Sequence, residues 1–323
     1  MHFRYLYYGV YRRQHYTFFM AKLFAAPHTP FTANGSLNPE AIHRQVQHLI
    51  EAGCHGAFVG GSTGEWPSLS VAERETILGL WSEAVRGTSL SVIAHVGHHC
   101  LSDAQQLAKL SGSLDGIDGI ATLVPSFFKP QGLNGIIKWC AAIARIAPST
   151  PFYYYHIPPL TNVGEEMSEF LEQAKETIPN LAGIKFTDGD LDAFSRCTTV
   201  SDVELFYGMD EQLLGGVRAG AHGAVGSSYN FAAPLYLDLM AAEDAGQQQQ
   251  AESLQQSAIK MIEIIAEFGY LPMAKALMIR LQVPVGGVRL PLENVNEQQI
   301  AKVVEQLNGI GLQETSRGWV ASA

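Results

Sequence analysis

The chain has 323 residues, 47% of them hydrophobic and only 16% charged, with a formal net charge of -10. That balance fits one large folded unit, such as a single α/β barrel with an extension, and excludes a disordered chain. The acidic surplus, with no basic run, argues against a nucleic-acid partner, although a local lysine and backbone N–H groups can still bind a small anion.

Residues 1–19 are rich in aromatics (Phe3, Tyr5, Tyr7, Tyr8, Tyr11, Tyr16, Phe18, Phe19) and carry Arg12 and Arg13. They lack the unbroken apolar stretch and small-residue cleavage site of a signal peptide. Met20-Ala21-Lys22-Leu23 reads as a second start. Residues 1–19 are therefore expected to be an arm outside the fold, with a targeting or interface arm as the alternative. No stretch is apolar enough to span a membrane.

From Leu23 onward, short apolar runs alternate with helical patterns at roughly the 30-residue spacing of a βα unit. Eight strands are predicted: Leu23–Ala26, Gly56–Val59, Leu90–His95, Gly119–Leu123, Phe152–His156, Leu181–Phe186, Leu205–Tyr207 and Ala224–Gly226. Helices are predicted over Val71–Arg86, behind the capping box Ser70-Val71-Ala72-Glu73, and over Asp103–Leu110, Asn134–Ile146 and Glu211–Ala219. Eight such units favour a closed (β/α)8 TIM barrel over a doubly wound sheet, and the Gly-x-Gly-x-x-Gly turn of a dinucleotide fold is missing. The barrel is assigned to residues 20–240. Residues 241–323 are assigned to a C-terminal extension, helical from about Gln247 to Leu307 and interrupted by a Pro284–Pro291 loop. Cys54, Cys100, Cys140 and Cys197 form neither Cys-x-x-Cys nor a zinc spacing, which is expected of thiols in a reducing cytoplasm.

Chemistry in a barrel sits at the C-terminal ends of the strands. Lys185 lies there, inside the apolar run Leu181-Ala182-Gly183-Ile184-Lys185-Phe186. A lysine in an interior strand is costly, and removal from water favours the neutral amine that a nucleophile needs. A snorkelling lysine at a strand end is the plainer reading. Tyr155 stands one βα unit earlier, so its strand should neighbour that of Lys185, and a phenol there could move a proton. Of the run Phe152-Tyr153-Tyr154-Tyr155, only alternate side chains can enter the barrel. Gly60-Gly61-Ser62-Thr63-Gly64-Glu65 offers backbone N–H groups and two hydroxyls suited to a carboxylate, with Glu65 expected to hold the turn. It is not a Walker loop. His95, His98 and His99 look like a metal cluster but lack an acidic ligand at a recognisable spacing, so loop or core histidines are expected and no metal.

Five linked motifs carry a resemblance over nearly everything after Met20. They are Gly-Gly-Ser-Thr-Gly-Glu at 60–65, Tyr-Tyr-Tyr-His-Ile-Pro at 153–158, Gly-Ile-Lys-Phe-Thr-Asp at 183–188, Gly-Met-Asp-Glu at 208–211 and Gly-Ala-Val-Gly-Ser-Ser-Tyr-Asn at 223–230. In this order they resemble the dihydrodipicolinate synthase/N-acetylneuraminate lyase family, and within it the lyase branch. The resemblance implies a homotetramer of barrels without metal or organic cofactor. It implies a class I aldolase that reversibly cleaves N-acetylneuraminate to N-acetylmannosamine and pyruvate. Lys185 would form the imine, Tyr155 would move the proton, and Ser62 and Thr63 would hold the carboxylate. Thr187, Gly208, Asp210, Glu211 and Ser227 would contact the sugar chain.

Two positions separate the branches. Leu160 stands where the synthase uses an arginine, and Phe127 where it uses a relay tyrosine. His156 replaces the asparagine of many relatives and looks like the animal-type lyases. Trp66-Pro67 is bulky beside the carboxylate loop, Asn162 replaces an expected glycine and tolerates positive φ, and Met209 removes a polar side chain. Alternatives are an aldolase for 2-keto-3-deoxy sugar acids, the synthase, or a non-catalytic keto-acid sensor. Retention of Lys185, Tyr155 and Ser62-Thr63 together speaks against the sensor.

Overall fold

The computed structural model describes residues 22–322; the arm expected over residues 1–19 lies outside them. β1 (Lys22–Ala25) is followed by α1 (Glu40–Glu51), β2 (Gly56–Val59) by α2 (Val71–Ala84), and β3 (Ser91–His95) by α3 (Leu101–Ser111). Then come β4 (Gly119–Thr122) and α4 (Gly132–Ala144), β5 (Phe152–His156), a short helical turn α5 (Pro158–Thr161) and α6 (Met167–Thr177). The last three units are β6 (Leu181–Phe186) with α7 (Leu191–Cys197), β7 (Glu204–Tyr207) with α8 (Leu213–Arg218), and β8 (Gly223–Gly226) with α9 (Tyr229–Asp244). The strands pair in parallel in chain order, and β8 returns to β1 with Leu23 opposite Ala224, which closes the barrel.

Strand alternation splits the apolar residues into two cores. Phe24, Phe58, Ile93, Tyr153, Tyr155, Phe206 and Val225 pack inside the barrel. Leu23, Ala57, Val92, Tyr154, Ile184 and Tyr207 point outward and pack in the layer that includes the helices. The expected split of the tyrosine run is therefore found: Tyr153 and Tyr155 face in, Tyr154 faces out. The capping box at α2 forms, with Ser70 Oγ accepting from the Glu73 N–H and the Glu73 carboxylate accepting from the Ser70 N–H.

Three expectations need correction. The helix predicted over Glu211–Ala219 begins instead as a 3-10 turn at Asp210–Gln212, with α8 confined to Leu213–Arg218. Its Gly215-Gly216 pair is a weak helix former, and the Leu214 N–H is taken by the side chain of Gln255 at 2.8 Å. α2 stops two residues short of Arg86, ahead of Gly87 at φ 76. The extension, expected to be helical and interrupted at the Pro284–Pro291 loop, has a second break. α10 (Gln248–Ala266) breaks at Gly269, whose φ is 86, before α11 (Tyr270–Arg280); α12 (Glu297–Gly309) follows the proline loop. Beyond Leu307 the chain ends in an unforeseen antiparallel hairpin, β9 (Leu312–Thr315) and β10 (Gly318–Ala321), which buries Trp319. α9 runs across residue 240 and bends at Ala232, two residues before Pro234. Among the described residues no helix is long and apolar enough to cross a membrane.

Candidate active site

Tyr155 on β5 and Lys185 on β6 stand opposite each other in direct register. Both are buried, and the Lys185 Nζ lies 4.0 Å from the centroid of the Tyr155 ring and 4.3 Å from that of Phe58. Two ring faces thus fix the amine laterally. The Tyr155 hydroxyl points to the turn after β2, 3.4 Å from Ser62 Oγ. Phe58 and His95 meet the Tyr155 ring edge to face, at 5.3 and 5.8 Å between centroids.

The turn itself is shaped for an anion. Gly60 and Glu65, at its two ends, adopt φ 72 and 56. The Gly64 N–H donates to Gly61 O and the Glu65 N–H to Ser62 O, both at 3.0 Å. Among the described residues, the N–H groups of Gly61, Ser62 and Thr63 have no partner, which leaves three adjacent donors with the Ser62 and Thr63 hydroxyls. His95 Nδ1 donates to Gly60 O at 2.8 Å, so the ring carries its proton there and Nε2 is a buried acceptor without a partner. Burial, reinforced by the Arg74 cation, holds His95 well below the ordinary imidazole range. Arg74, itself buried, donates to His95 O at 2.6 Å and Gly97 O at 2.7 Å and lies 5.5 Å from the Trp66 ring.

A cavity of about 240 Å³ opens beside these groups, lined by Gly208, Met209, Asp210, Glu211, Ser227, Ile262 and Tyr270. Thr187 adjoins it: a Cβ on Gly208 would overlap Thr187 Oγ1, a buried atom without a hydrogen-bond partner. Asp210 is buried, and its Oδ2 accepts from the Ser228 N–H at 2.8 Å and the Ser228 hydroxyl at 2.6 Å. Burial pushes its carboxyl up to about 6 despite those bonds. The Ser227 hydroxyl pairs with the Tyr270 hydroxyl at 2.8 Å. The structure therefore joins Lys185, Tyr155 and Ser62 at one point, with Thr63 half-buried on the same turn, and gathers Gly208, Asp210, Glu211 and Ser227 around the cavity. A second cavity, about 270 Å³, lies at the opposite end of the strands, between residues 85–91 and Asp115–Asp118. Its lining holds the Thr88, Ser89 and Ser91 hydroxyls and the Asp115 and Asp118 carboxylates, without a lysine or histidine among the described residues beside them.

Sequence reasoning missed the part supplied by the extension. Tyr270 and Ile262 line the cavity, and Gln255 bonds the Asp210 carbonyl at 3.2 Å. Only the glycine break before Tyr270 hinted that this helix starts at the site. The three histidines gather around the Trp66 ring, at 5.8, 6.0 and 5.5 Å between centroids for His95, His98 and His99. His98 Nδ1 lies 3.3 Å from Asp103, and His99 stacks on Trp66 at 5.5 Å. Among the described residues no group of three or more His, Cys, Asp or Glu side chains is placed to hold a metal. Trp66 is buried, Asn162 takes φ 51, and His156 is buried with Nε2 3.9 Å from Asp188. Phe127, Phe128 and Leu160 stand exposed at 80%, 84% and 60%.

The family model described as the dihydrodipicolinate synthetase family matches residues 19–310. The N-acetylneuraminate lyase of Xenopus tropicalis is 41% identical over 274 residues, which cover 84% of this chain and 90% of the relative. The N-acetylneuraminate lyase structure from Proteus mirabilis superposes with a TM-score of 0.86 at 36% identity, covering 90% of this chain and 98% of the other. A dihydrodipicolinate synthase from Cyanidioschyzon merolae, solved with lysine bound, gives 0.82 at 28% identity over 90% and 98%. A family match across nearly the whole barrel, together with relatives well above 30% identity, identifies the chain as a member of the dihydrodipicolinate synthetase family.

Proposed function

We propose that the chain is an N-acetylneuraminate lyase, a class I aldolase that reversibly splits the sugar acid into N-acetylmannosamine and pyruvate. The observation that carries this reading is the Tyr155–Lys185 pair, in register and buried inside the barrel mouth. The Lys185 amine attacks the C2 carbonyl of the keto acid, and loss of water gives an iminium. Tyr155 relays the C4 hydroxyl proton as the C3–C4 bond breaks, its oxygen accepting that proton while its own passes to the substrate carboxylate at the Ser62 turn, which returns it at C3; the bonding pair flows into the iminium to leave an enamine. Protonation at C3 and addition of water release pyruvate and restore the amine. The electron sink is made from the lysine and the substrate, so the sequence of steps calls on no metal or organic cofactor.

The substrate carboxylate would lie against the free N–H groups and hydroxyls of Ser62 and Thr63. The hydroxyl chain would extend into the cavity toward Asp210, Glu211, Ser227, Thr187 and Gly208. Two features of the relatives and of the chain support the sugar acid over a second keto-acid partner. The lyases of Xenopus tropicalis and Proteus mirabilis, at 41% and 36% identity, are more similar than the dihydrodipicolinate synthase at 28%, and Leu160 offers an anion no cation. Residues 20–240 would supply the chemistry, and 241–323 would complete the sugar side. The exposed Phe127–Phe128 pair, with rings 5.0 Å apart, supports assembly of the barrels into a homotetramer through apolar contact. The unpaired Cys54, Cys100, Cys140 and Cys197 fit a cytoplasmic protein. Pyruvate release from N-acetylneuraminate, followed through coupled lactate dehydrogenase, tests the reading: turnover by wild type and none by Lys185→Ala is expected. No release by folded wild type would move the assignment to other keto-deoxy sugar acids.

A further inference from the structure

Glu65 ends the anion-binding turn only two residues after Thr63, and its side chain is 1% exposed. A buried carboxylate so near a site for an organic anion would oppose the substrate unless it is neutralised. Lys275 on α11 does this. Its Nζ, also fully buried, donates to Glu65 Oε1 and to Thr29 O, both at 2.9 Å, and lies 4.3 Å over the Phe31 ring. The Thr29 hydroxyl donates to Gly64 O at 2.6 Å, and the Arg289 backbone N–H takes Glu65 Oε2 at 3.0 Å. The Arg289 guanidinium bonds Ser68 O at 2.9 Å and the Glu73 carboxylate. His28, next to Thr29, is buried and held at about 3 by burial and by the Lys275 charge, so it adds no positive charge of its own. Residues 64 and 65 are thus gripped by partners 210 and 224 residues later in the chain and by Thr29.

Two ions withdrawn from water this fully stabilise less than a well-packed apolar pair would, so stability alone is a poor reason for them. We propose that Lys275 is a positioning residue for the keto-acid carboxylate: by neutralising Glu65 and tying it to α11, it keeps the 60–65 turn open to an anion. The inference rests on the Lys185 imine reading. Lys275 touches the turn and not the reacting atoms, and it gives the extension a role on the pyruvate side of the site as well as the sugar side.

Borohydride trapping of pyruvate on Lys185, read as the mass gain of the full chain, yields a half-saturating concentration and a maximal rate separately. Lys275→Met is expected to raise half-saturating pyruvate ten-fold or more while the maximal rate changes less than three-fold. Lys275→Met/Glu65→Gln, which strands no charge, is expected to raise it by a smaller factor, about three-fold. Arg280→Met breaks the α11 ion pair with Glu314, away from the turn, and should leave half-saturation unchanged whatever it does to melting. If both charge variants fail to fold, Thr29→Val deletes only the bond onto Gly64 and should still raise half-saturation about three-fold. Wild type that traps no pyruvate would overturn the imine reading and this inference with it. Trapping by wild type, with wild-type half-saturation in a folded Lys275 or Thr29 variant, would overturn the inference alone.

Discussion

The Tyr155 ring carries the Lys185 amine 4.0 Å from its centroid, on neighbouring strands in direct register. One ring therefore has two duties. Its face locates the nucleophile, and its hydroxyl, 3.4 Å from Ser62 Oγ, reaches the turn proposed to hold the substrate carboxylate.

Separating those duties is the first prediction. Tyr155→Phe keeps the ring face and loses the hydroxyl. Cleavage turnover should fall roughly 10²- to 10⁴-fold, the usual range for a lost general acid–base, while borohydride capture of pyruvate stays within a few-fold of wild type. Equal losses in both would mean that the hydroxyl mainly binds.

Lys185 can be removed without emptying the core. Lys185→Met replaces the amine with a thioether of similar length, and the ring contacts of Phe58 and Tyr155 remain available. Turnover should drop roughly 10⁴-fold or more, and the mass gain on trapping should vanish. Melting should stay near that of wild type or rise, because a buried amine is removed. Residual trapping at another lysine would contradict the assignment.

How far these residues could be read from the sequence depends on the range of the interaction. Lys185 and Tyr155 were legible because strand periodicity is local: period two decides which of Tyr153, Tyr154 and Tyr155 face inward, and adjacent βα units place β5 beside β6. The capping box at Ser70–Glu73 was legible for the same reason. Glu65 could be suspected of holding its turn, but its partner Lys275 lies 210 residues away inside an ordinary helical pattern. Tyr270 and Gln255 were hidden likewise, since nothing local marks a helix that docks on a loop. The terminal hairpin was missed because Leu312–Thr315 is mostly polar and exposed, without the apolar run that marked the equally short barrel strands.

Gly208 tests the sugar side independently. Gly208→Ala places a Cβ into Thr187 Oγ1, so the threonine side chain or the turn after β7 must shift. In the synthetic direction the KM for N-acetylmannosamine should rise about ten-fold or more, since misplacement on this scale is costly in catalysis. Pyruvate trapping on Lys185 should be unaffected. If pyruvate trapping weakened as well, the two halves of the site would be coupled more tightly than the geometry suggests.

Asp210 gives a prediction in pH. Its carboxyl is raised from 3.8 to about 6 by burial, so the folded protein binds this proton more tightly than the unfolded chain does. For a raised value, the contribution to stability is fully present below about 4 and is lost as pH rises through about 6. At pH 7 and above, the ionised form then costs about 3 kcal/mol relative to a neutral group, at 1.36 kcal/mol per unit. Asp210→Asn keeps an acceptor for the Ser228 N–H and hydroxyl and has no charge to desolvate. Its melting temperature should match that of wild type near pH 4 and exceed it increasingly between pH 4 and 6.5, then hold a constant advantage. Sugar binding should weaken over the same upper range, because the wild-type carboxylate accepts hydroxyl hydrogen bonds that the amide makes less strongly. A melting difference that does not vary with pH would mean that Asp210 keeps an ordinary carboxylate value in the folded protein, and that its burial is relieved by water in the cavity beside Ser227.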